Sequence, residues 1–221
     1  MRMRKKPNLI PRLARCGAIW IQDPENLRGR WRELHSPGCP LHVELGCGKG
    51  RFTAEIAAAN PEILFVAVER VPEAMVVAME RVTALGLSNV FFLSEDAARL
   101  PDFFAPDEVN LIYINFCDPW PGNRHAKRRL TFRSFLMEYR KVLRIGGEIR
   151  FKTDNRPLFD FSLDEFPAAG FRISSLTYNL HSGRYADLPT DYEAKFFAAG
   201  TPICRLVAVQ EADRNYFCPI L

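Results

Sequence analysis

Short apolar runs recur along the chain and alternate with stretches whose apolar residues are spaced for one face of a helix. The uninterrupted runs predict buried strands, and the wider spacing predicts amphipathic helices. The predicted strands cover residues 41–45, 63–68, 89–93, 109–116, 148–153, 171–180 and 203–209, and the predicted helices cover residues 51–59, 72–85, 131–142 and 158–169. Gly146 and Gly147 predict a turn that leads into the fifth strand.

The alternation of strands and helices predicts an α/β fold with a doubly wound, Rossmann-like sheet of seven strands and helices on both of its faces. A chain of 221 residues is long enough for a single core of this kind. Residues 1–40 precede the first strand, carry many basic residues and show little apolar periodicity. We therefore expect a basic N-terminal arm that covers a domain formed by residues 41–221.

The segment from Glu44 to Gly50 joins the first strand to the helix after it, with the sequence Glu-Leu-Gly-Cys-Gly-Lys-Gly. Glycines at such a turn let a ligand approach bare backbone, so Gly46 and Gly48 are predicted to bind a cofactor. A pyrophosphate site has the spacing G-x-G-x-x-G, and the carboxylate of Glu44 would repel a phosphate. The pattern suits a cationic ligand such as S-adenosylmethionine, although a tight turn without a ligand uses the same glycines.

Acidic residues follow the next two predicted strands as well. Glu69 ends the second strand, about 20 residues past the glycine loop, where α/β nucleotide folds hold ribose hydroxyls. Asp96 follows the third strand and is placed to accept a hydrogen bond from an adenine amino group. A lone carboxylate is usually only solvated, but the carboxyl ends of parallel strands meet at one edge of a sheet. Acidic residues on successive strands therefore predict a ligand site along that edge.

The run Asp118-Pro119-Trp120-Pro121 ends the fourth predicted strand. Neither proline continues a strand or a helix, so the two prolines stiffen the backbone and fix the direction of the indole. A rigid carboxylate beside an aromatic ring is suited to hydrogen bonding one edge of a purine and holding its face. A proline-rich turn with Trp120 as a core residue would explain the prolines, but not the position of Asp118.

Positive charge is concentrated in two segments, although the formal net charge is only +4. Such clusters neutralise phosphates and favour nucleic-acid partners, whereas a solubilising surface has a similar composition. The cluster in the N-terminal arm is Arg2, Arg4, Lys5, Lys6, Arg12 and Arg15, and the cluster after the fourth strand is Arg124, Lys127, Arg128 and Arg129.

Composition excludes several classes of protein. Hydrophobic residues make up 48% of the chain, which argues against disorder. No apolar run approaches the roughly 20 residues of a membrane span, and residues 1–6 lack the apolar stretch of a signal peptide. The six cysteines have no C-x-x-C pair or metal-ligand spacing, so we expect reduced thiols, no metal and a cytoplasmic protein.

Five segments, in order and at compatible spacing, resemble the bacterial tRNA (guanine-N7-)-methyltransferases. The glycine loop is common to many methyltransferases, whereas Asp-Pro-Trp-Pro followed by a basic segment is highly specific. The segments are Glu-Leu-Gly-Cys-Gly-Lys-Gly at 44–50, Asp-Pro-Trp-Pro at 118–121, Arg-His-x-Lys-Arg-Arg-Leu at 124–130, Lys-Thr-Asp at 152–154 and Thr-Asp-Tyr-Glu-x-Lys-Phe at 190–196.

The resemblance implies that residues 41–221 form an S-adenosylmethionine-dependent methyltransferase domain, which methylates N7 of guanosine 46 in the variable loop of tRNA. It also implies that Asp118 is the catalytic residue. The implied cofactor contacts are Glu44, Glu69, Asp96 and Asp118, the implied substrate contacts are Asp154, Thr190, Asp191, Tyr192 and Glu193, and the implied RNA-contacting segment holds Arg124, His125, Lys127, Arg128 and Arg129.

This chain departs from the family at one position. The family usually has a lysine directly after Asp-Pro-Trp-Pro, where this chain has Gly122 and Asn123. Lys127 and Arg124 are the candidates to supply the missing charge. Without such a replacement, we expect altered affinity for tRNA or an altered choice of tRNA.

Guanine N7 has a lone pair and no proton to remove, so it can attack a sulfonium methyl group without a strong general base. The enzyme must mainly position N7 and stabilise the positive charge that develops on the purine. Asp118 suits this orienting and electrostatic role. His125 lies inside a basic run, which is more typical of an RNA contact than of a base.

Two other functions are compatible with these residues. One is an S-adenosylmethionine enzyme that acts on an exocyclic amine of a nucleic acid or on a protein, and the other is a non-catalytic RNA-binding relative. The intact Glu44, Glu69, Asp96 and Asp118 argue against the second. We expect a monomer or a homodimer.

Overall fold

The structure is a computed structural model that describes residues 8–180 and 200–212. This part of the chain contains a sheet of seven strands in the order β3-β2-β1-β4-β5-β7-β6. Strands β1 to β5 run parallel, and β7 is antiparallel to both of its neighbours. The predicted doubly wound sheet is confirmed. The strands are β1 Leu41–Leu45, β2 Leu64–Val68, β3 Val90–Leu93, β4 Val109–Asn115, β5 Leu143–Thr153, β6 Phe171–Thr177 and β7 Cys204–Gln210.

Helices cover both faces of the sheet because side chains alternate along each strand. On β4, Leu111 and Tyr113 enter one apolar cluster, which α1, α2 and α3 close, and Ile112 and Ile114 enter a second cluster, which α4, α5 and α6 close. The helices are α1 Leu9–Arg15, α2 Arg51–Ala59, α3 Pro72–Ala84, α4 Leu100–Phe103, α5 Arg133–Val142 and α6 Arg156–Ala168.

The described residues before β1 pack directly on this sheet. Helix α1 lies on α3, where Leu13 is buried and the guanidinium of Arg12 donates to Glu80 at 2.7 Å. Trp31 is fully buried, and its Nε1 donates to the carbonyl of Phe103 at 2.9 Å. The sequence did not predict α1, because a seven-residue helix with one buried residue leaves no periodic pattern.

Strand β5 begins at Leu143, whereas the predicted strand began at Glu148. The pairing register with β4 shifts at this point, so Gly146 and Gly147 form a bulge inside the strand. The prediction of a turn before the strand was therefore wrong. A Cβ at position 147 would lie 2.8 Å from the carbonyl oxygen of Arg144 and 3.0 Å from that of Asn110, so a side chain at this position would clash with the backbone of the bulge.

Candidate active site

A cavity of about 420 Å³ opens at the carboxyl ends of β1, β2, β3 and β4. The loops that leave these strands form its walls, which is where open α/β sheets bind ligands. Acidic, apolar and basic side chains all contribute to the lining. The acidic residues are Glu69, Glu95, Asp96 and Asp118, the apolar ones include Ala97, Cys117, Leu130 and Phe135, and the basic ones are Arg70, Lys127 and Arg128.

The glycine loop places bare backbone against this cavity. Gly46 lines the cavity and has a φ of 78°, and a Cβ added to it would meet no atom within 4 Å. Gly50 has a similar φ of 69°, but a Cβ on it would lie 2.8 Å from the Cα of Ala78 on α3. Gly46 therefore leaves space on the ligand side, whereas Gly50 allows α2 and α3 to pack closely.

Glu69 ties the glycine loop to the end of β2. One carboxylate oxygen accepts from the amide of Gly48 at 3.0 Å, and the other accepts from the amide of Val71 at 2.8 Å. Each oxygen keeps a second lone pair, so the side chain can also accept from ligand hydroxyls. Gly48 does not line the cavity and contributes to the site through this bond.

Glu44 does not line the cavity, although the sequence predicted a direct cofactor contact. Its carboxylate is buried. It accepts from the hydroxyl of Thr53 on α2 at 2.5 Å and from the side-chain amide of Asn115 on β4 at 3.3 Å. Burial raises the pKa of Glu44 to about 7, with a smaller contribution from the charge of Glu69, while the two donors act in the opposite direction. Glu44 thus joins three elements at the base of the glycine loop.

Asp96 lies at the carboxyl end of β3, as the sequence predicted. One of its oxygens accepts from the amide of Ala98 at 2.9 Å and caps a short 3-10 helix. The other lies 3.5 Å from the guanidinium of Arg70, in an exposed ion pair of a kind that contributes little stability. Both charged side chains line the cavity, so this weak pair leaves the carboxylate available to a ligand.

A strained turn presents Asp118 to the cavity. Phe116 and Trp120 have φ values of 51° and 41°, which residues other than glycine rarely adopt. Arg129 fixes the turn, because its guanidinium donates to the carbonyl of Pro119 at 3.1 Å and to that of Trp120 at 3.2 Å. Asp118 lies between Phe116 and Trp120 and is exposed. Strain of this kind is typical of turns that position functional groups.

Lys127 and Arg128, on the 3-10 helix that follows this turn, are exposed and line the cavity. The guanidinium carbon of Arg128 lies 3.9 Å from the centroid of the Trp120 ring. Arg124 is also exposed, and its Nε donates to Nε2 of His125 at 3.0 Å. The structure therefore brings basic side chains to the same cavity as the strand-end carboxylates.

Comparison with known proteins defines the family. Residues 39–206 match a family described as putative methyltransferase. A tRNA (guanine-N(7)-)-methyltransferase from Geobacillus kaustophilus is 44% identical over 216 residues, which is 97% of this chain and 100% of that protein. The chain belongs to the bacterial tRNA (guanine-N7-)-methyltransferase family. Members from Listeria monocytogenes and Lachnoclostridium phytofermentans are 42% and 40% identical over 97% and 96% of the chain, and the alignment covers 100% of each.

Solved structures of other methyltransferases have the same fold. The 16S rRNA methyltransferase KamB superposes with a TM-score of 0.63 at 16% identity, over 83% of this chain and 92% of that one. A 16S rRNA (adenine(1408)-N(1))-methyltransferase from Catenulisporales acidiphilia, crystallised with its cosubstrate SAM, gives a TM-score of 0.59 at 16% identity, over 88% and 94%. At this identity the likeness supports the Rossmann-like methyltransferase sheet and nothing finer.

Of the predicted substrate contacts, Asp154 is the one that lies within the described residues. It is exposed after β5 and does not line the cavity. The segment from Thr190 through Asp191 and Tyr192 to Glu193 falls outside the described residues. These four residues and Asp154 remain predicted substrate contacts.

Sequence reasoning missed the apolar part of the cavity. Phe135 lies in the predicted helix 131–142 and was not predicted as a site residue, yet its ring reaches the cavity from α5. Leu130 and Ala97 also line the cavity. Ala97 directly follows Asp96, so a small residue after a strand-end acid was the one available signal.

Among residues 8–180 and 200–212, no group of three or more His, Cys, Asp and Glu side chains is arranged to hold a metal ion. None of the helices in this part of the chain combines the length and apolar character needed to span a bilayer.

Proposed function

We propose that this family member is a cytoplasmic enzyme that transfers a methyl group from S-adenosylmethionine to N7 of guanosine 46 in the variable loop of tRNA. The observation that carries the proposal is the position of Asp118. A rigid turn presents it in the same cavity as Glu69 and Asp96, beside the exposed cations Lys127 and Arg128. The relatives named above, which align over their full length, are tRNA (guanine-N(7)-)-methyltransferases.

The lining of the cavity fits S-adenosylmethionine. Its four carboxylates favour a ligand that carries an ammonium and a sulfonium group. Ala97, Leu130 and Phe135 offer an apolar surface for an adenine ring, and Glu69 keeps lone pairs for ribose hydroxyls. The space beside Gly46 lets the ligand approach the backbone. When bound, this cofactor supplies an electrophilic methyl group on a sulfonium centre.

Asp118 has two functions in this proposal. Its carboxylate accepts hydrogen bonds from N1–H and the 2-amino group of guanine, which orients the base, and its charge stabilises the positive charge that develops on the purine. Because N7 carries no proton, no side chain has to act as a general base. His125, whose Nε2 already accepts from Arg124, stays outside the catalytic set.

Lys127 supplies the charge that the family's usual lysine would provide. Gly122 stands in that lysine's place, is exposed and has a φ of 85°. The following 3-10 helix returns Lys127 to the cavity lining. We expect Lys127→Ala to raise the KM for tRNA more than it lowers kcat, because a phosphate or base contact is lost while the methyl-transfer geometry is kept.

A methylation assay on total tRNA tests the proposal, with the modified nucleoside identified against methylguanosine standards by chromatography and mass spectrometry and its position mapped in the tRNA. The wild-type enzyme should form 7-methylguanosine at position 46. Asp118→Asn keeps the size but loses the charge and one acceptor, so turnover should fall by roughly 10²-fold or more. Binding of tRNA should change little, because phosphate contacts dominate it.

Asp164→Asn is the matched control, because Asp164 is an exposed carboxylate on α6 that does not line the cavity. It should leave turnover unchanged. A methylated exocyclic amine, a methylated protein or no product at all would replace the proposed function with one of the alternatives. Wild-type turnover in Asp118→Asn would remove Asp118 from the catalytic role.

A further inference from the structure

We propose that Arg128 occupies, in the free protein, the place on the Trp120 indole where the target guanine stacks, and that tRNA phosphates draw Arg128 away. The inference rests on the proposed function and adds the order in which the enzyme engages RNA and base. Arg128 then has two alternative partners, the indole in the free enzyme and the RNA backbone in the complex.

The distance between the two side chains excludes a base from the space between them. The guanidinium carbon of Arg128 lies 3.9 Å from the centroid of the Trp120 ring, which is van der Waals contact. A planar base inserted between two such groups needs about 3.5 Å on each of its faces. Arg128 must therefore leave before a guanine can stack on this face of the indole.

Trp120 is the fixed member of the pair. Its backbone has a φ of 41°, and its carbonyl accepts from the guanidinium of Arg129 at 3.2 Å. Arg129 is itself held, because it lies over the ring of Phe161 at 4.4 Å and also donates to Pro119. The indole and the adjacent Asp118 are thus presented to the cavity in one rigid unit, which suits recognition of a base by edge and face together.

Arg128 is the member that can be displaced. It is exposed at the end of a 3-10 helix and lines the cavity beside Lys127. An exposed cation–π contact raises the equilibrium constant for the stacked state by only about two- to fivefold. A phosphate offers the same guanidinium two charge-assisted hydrogen bonds, and base stacking on an aromatic ring is the stronger contact for the indole. The complex with RNA therefore favours the exchange of partners.

This exchange has a consequence for substrate choice. A guanosine without flanking phosphates must displace Arg128 without compensation, whereas a guanosine within tRNA brings the phosphates that hold the guanidinium elsewhere. Arg128 therefore discriminates against free nucleosides and supports binding of the polynucleotide.

The experiment compares binding of free guanosine with binding of tRNA, in the presence of S-adenosylhomocysteine. Guanosine binding is followed by ¹⁹F NMR on protein labelled with fluorotryptophan, and Trp120→Phe assigns the resonance among the three tryptophans. Arg128→Ala should bind guanosine about two- to fivefold more tightly than the wild type, since the competing contact is gone. The same variant should show a raised KM for tRNA.

Arg144→Ala is the matched control. It removes one exposed arginine from β5, away from Trp120 and from the cavity lining. Its affinity for guanosine should equal that of the wild type. Trp120→Ala removes the reporter indole, so its guanosine affinity is measured by calorimetry beside the wild type; it should be weaker by roughly fivefold or more, because the stacking surface is lost.

Each other outcome overturns the inference. Unchanged guanosine binding in Arg128→Ala would mean that Arg128 does not cover the guanine position, and weaker binding would mean that Arg128 holds the base. An equal gain in Arg144→Ala would mean that the gain comes from the lower net charge and not from the contact between Arg128 and Trp120. The proposed function fails separately, if the wild-type enzyme forms no 7-methylguanosine on tRNA. When that product forms and the guanosine affinities do not follow the predicted order, only the exchange at Trp120 is refuted.

Discussion

At the scale of single residues, burial alters the chemistry of His42 on β1. Its ring packs edge-on against Phe65 and Tyr113, with centroids 5.4 and 5.8 Å away. Its Nδ1 is buried and has no hydrogen-bond partner among the described residues. Burial lowers the pKa of His42 to about 4, and the charges of Arg150 and Arg144 act in the same direction. The folded protein therefore holds a neutral imidazole at pH values where the unfolded chain is protonated.

This difference predicts a loss of stability in acid. The folded pKa lies below the unfolded value of 6.5, so the unfolded state binds the proton first and stability falls as the pH drops from about 6.5 to about 4. The loss should reach about 3 kcal/mol at the lower limit. His42→Phe removes the titration. Its free energy of unfolding relative to that of the wild type should therefore rise as the pH falls through this range, and it should stay constant above pH 7.5. A difference that does not vary with pH would contradict the assignment.

Glu44 shifts in the opposite direction and gives the opposite dependence on pH. Its folded pKa of about 7 lies above the ordinary value of 4.5, so its stabilisation is complete below about pH 4.5 and is lost as the pH rises through 7. Glu44→Gln removes this titration. The free energy of unfolding of the variant minus that of the wild type should therefore increase by up to about 3 kcal/mol between pH 4.5 and pH 8. Denaturant unfolding at the two pH values measures it.

The matched control is Glu62→Gln, which makes the same chemical change at an exposed position. The difference in free energy of unfolding between this variant and the wild type should be the same at the two pH values. If Glu44→Gln behaves like this control, the carboxyl group is not titrating in a buried site.

The orientation of Glu44 shows what the sequence did and did not determine at this scale. The residue was correctly placed at the end of β1, its contact with the cofactor stays a prediction, and the sequence did not predict its bonds to Thr53 and Asn115. Leu41, Val43 and Leu45 all enter the second apolar cluster, so Glu44 and His42 must point to the opposite face. Which groups the carboxylate contacts on that face depends on how α2 packs, and the sequence of the strand alone does not determine this packing.

At the scale of elements, the glycine loop separates two uses of glycine. Gly46 and Gly50 share a positive φ, so alanine at either position adds about 1–2 kcal/mol of backbone strain. At Gly50 the new Cβ also meets the backbone of Ala78, which adds about 1–3 kcal/mol of overpacking. Gly50→Ala should therefore destabilise the protein clearly more than Gly46→Ala in denaturant unfolding.

Cofactor affinity should rank the two variants in the reverse order. A Cβ at Gly46 enters the open space beside the cavity, so Gly46→Ala should lose S-adenosylmethionine binding in calorimetry under conditions where it remains folded. Equal losses of stability in the two variants would mean that α2 can move away from α3, and that the close approach at Gly50 is not required.

Elements with strong internal patterns were predictable, and elements defined by their neighbours were not. The apolar run of β4 predicts a buried strand on its own, and Val109–Asn115 is such a strand. The early start of β5 at Leu143 depends on a bulge against β4, and α1 depends on the surface of α3. In the same way, the cavity's acids were predictable from strand ends, but Phe135 lines it only because α5 docks there.

At the scale of the whole molecule, the distribution of charge matters more than its sum. A net charge of +4 is a weak signal by itself. The structure divides the basic segment after β4 into exposed cations and one structural arginine, Arg129, which is half-buried and bound to backbone carbonyls. Sequence alone gave all of these residues the same predicted role in RNA binding. Substituting Arg129 should disturb the turn that holds Asp118, so it is a poor probe of phosphate contacts.

Arg124 and Lys127 are better probes, because both are exposed. If they contact phosphates, the affinity for tRNA should fall steeply with salt, and Arg124→Ala with Lys127→Ala should lower the slope of log affinity against log salt by about two. Cofactor affinity should change far less. The matched control is Lys141→Ala with Arg172→Ala, which removes the same charge from exposed positions on α5 and β6 that do not line the cavity. The control should keep the wild-type slope, since phosphate contacts release counterions only where they form. Equal slopes in both double variants would mean that net charge, and not a defined surface beside the cavity, attracts the tRNA.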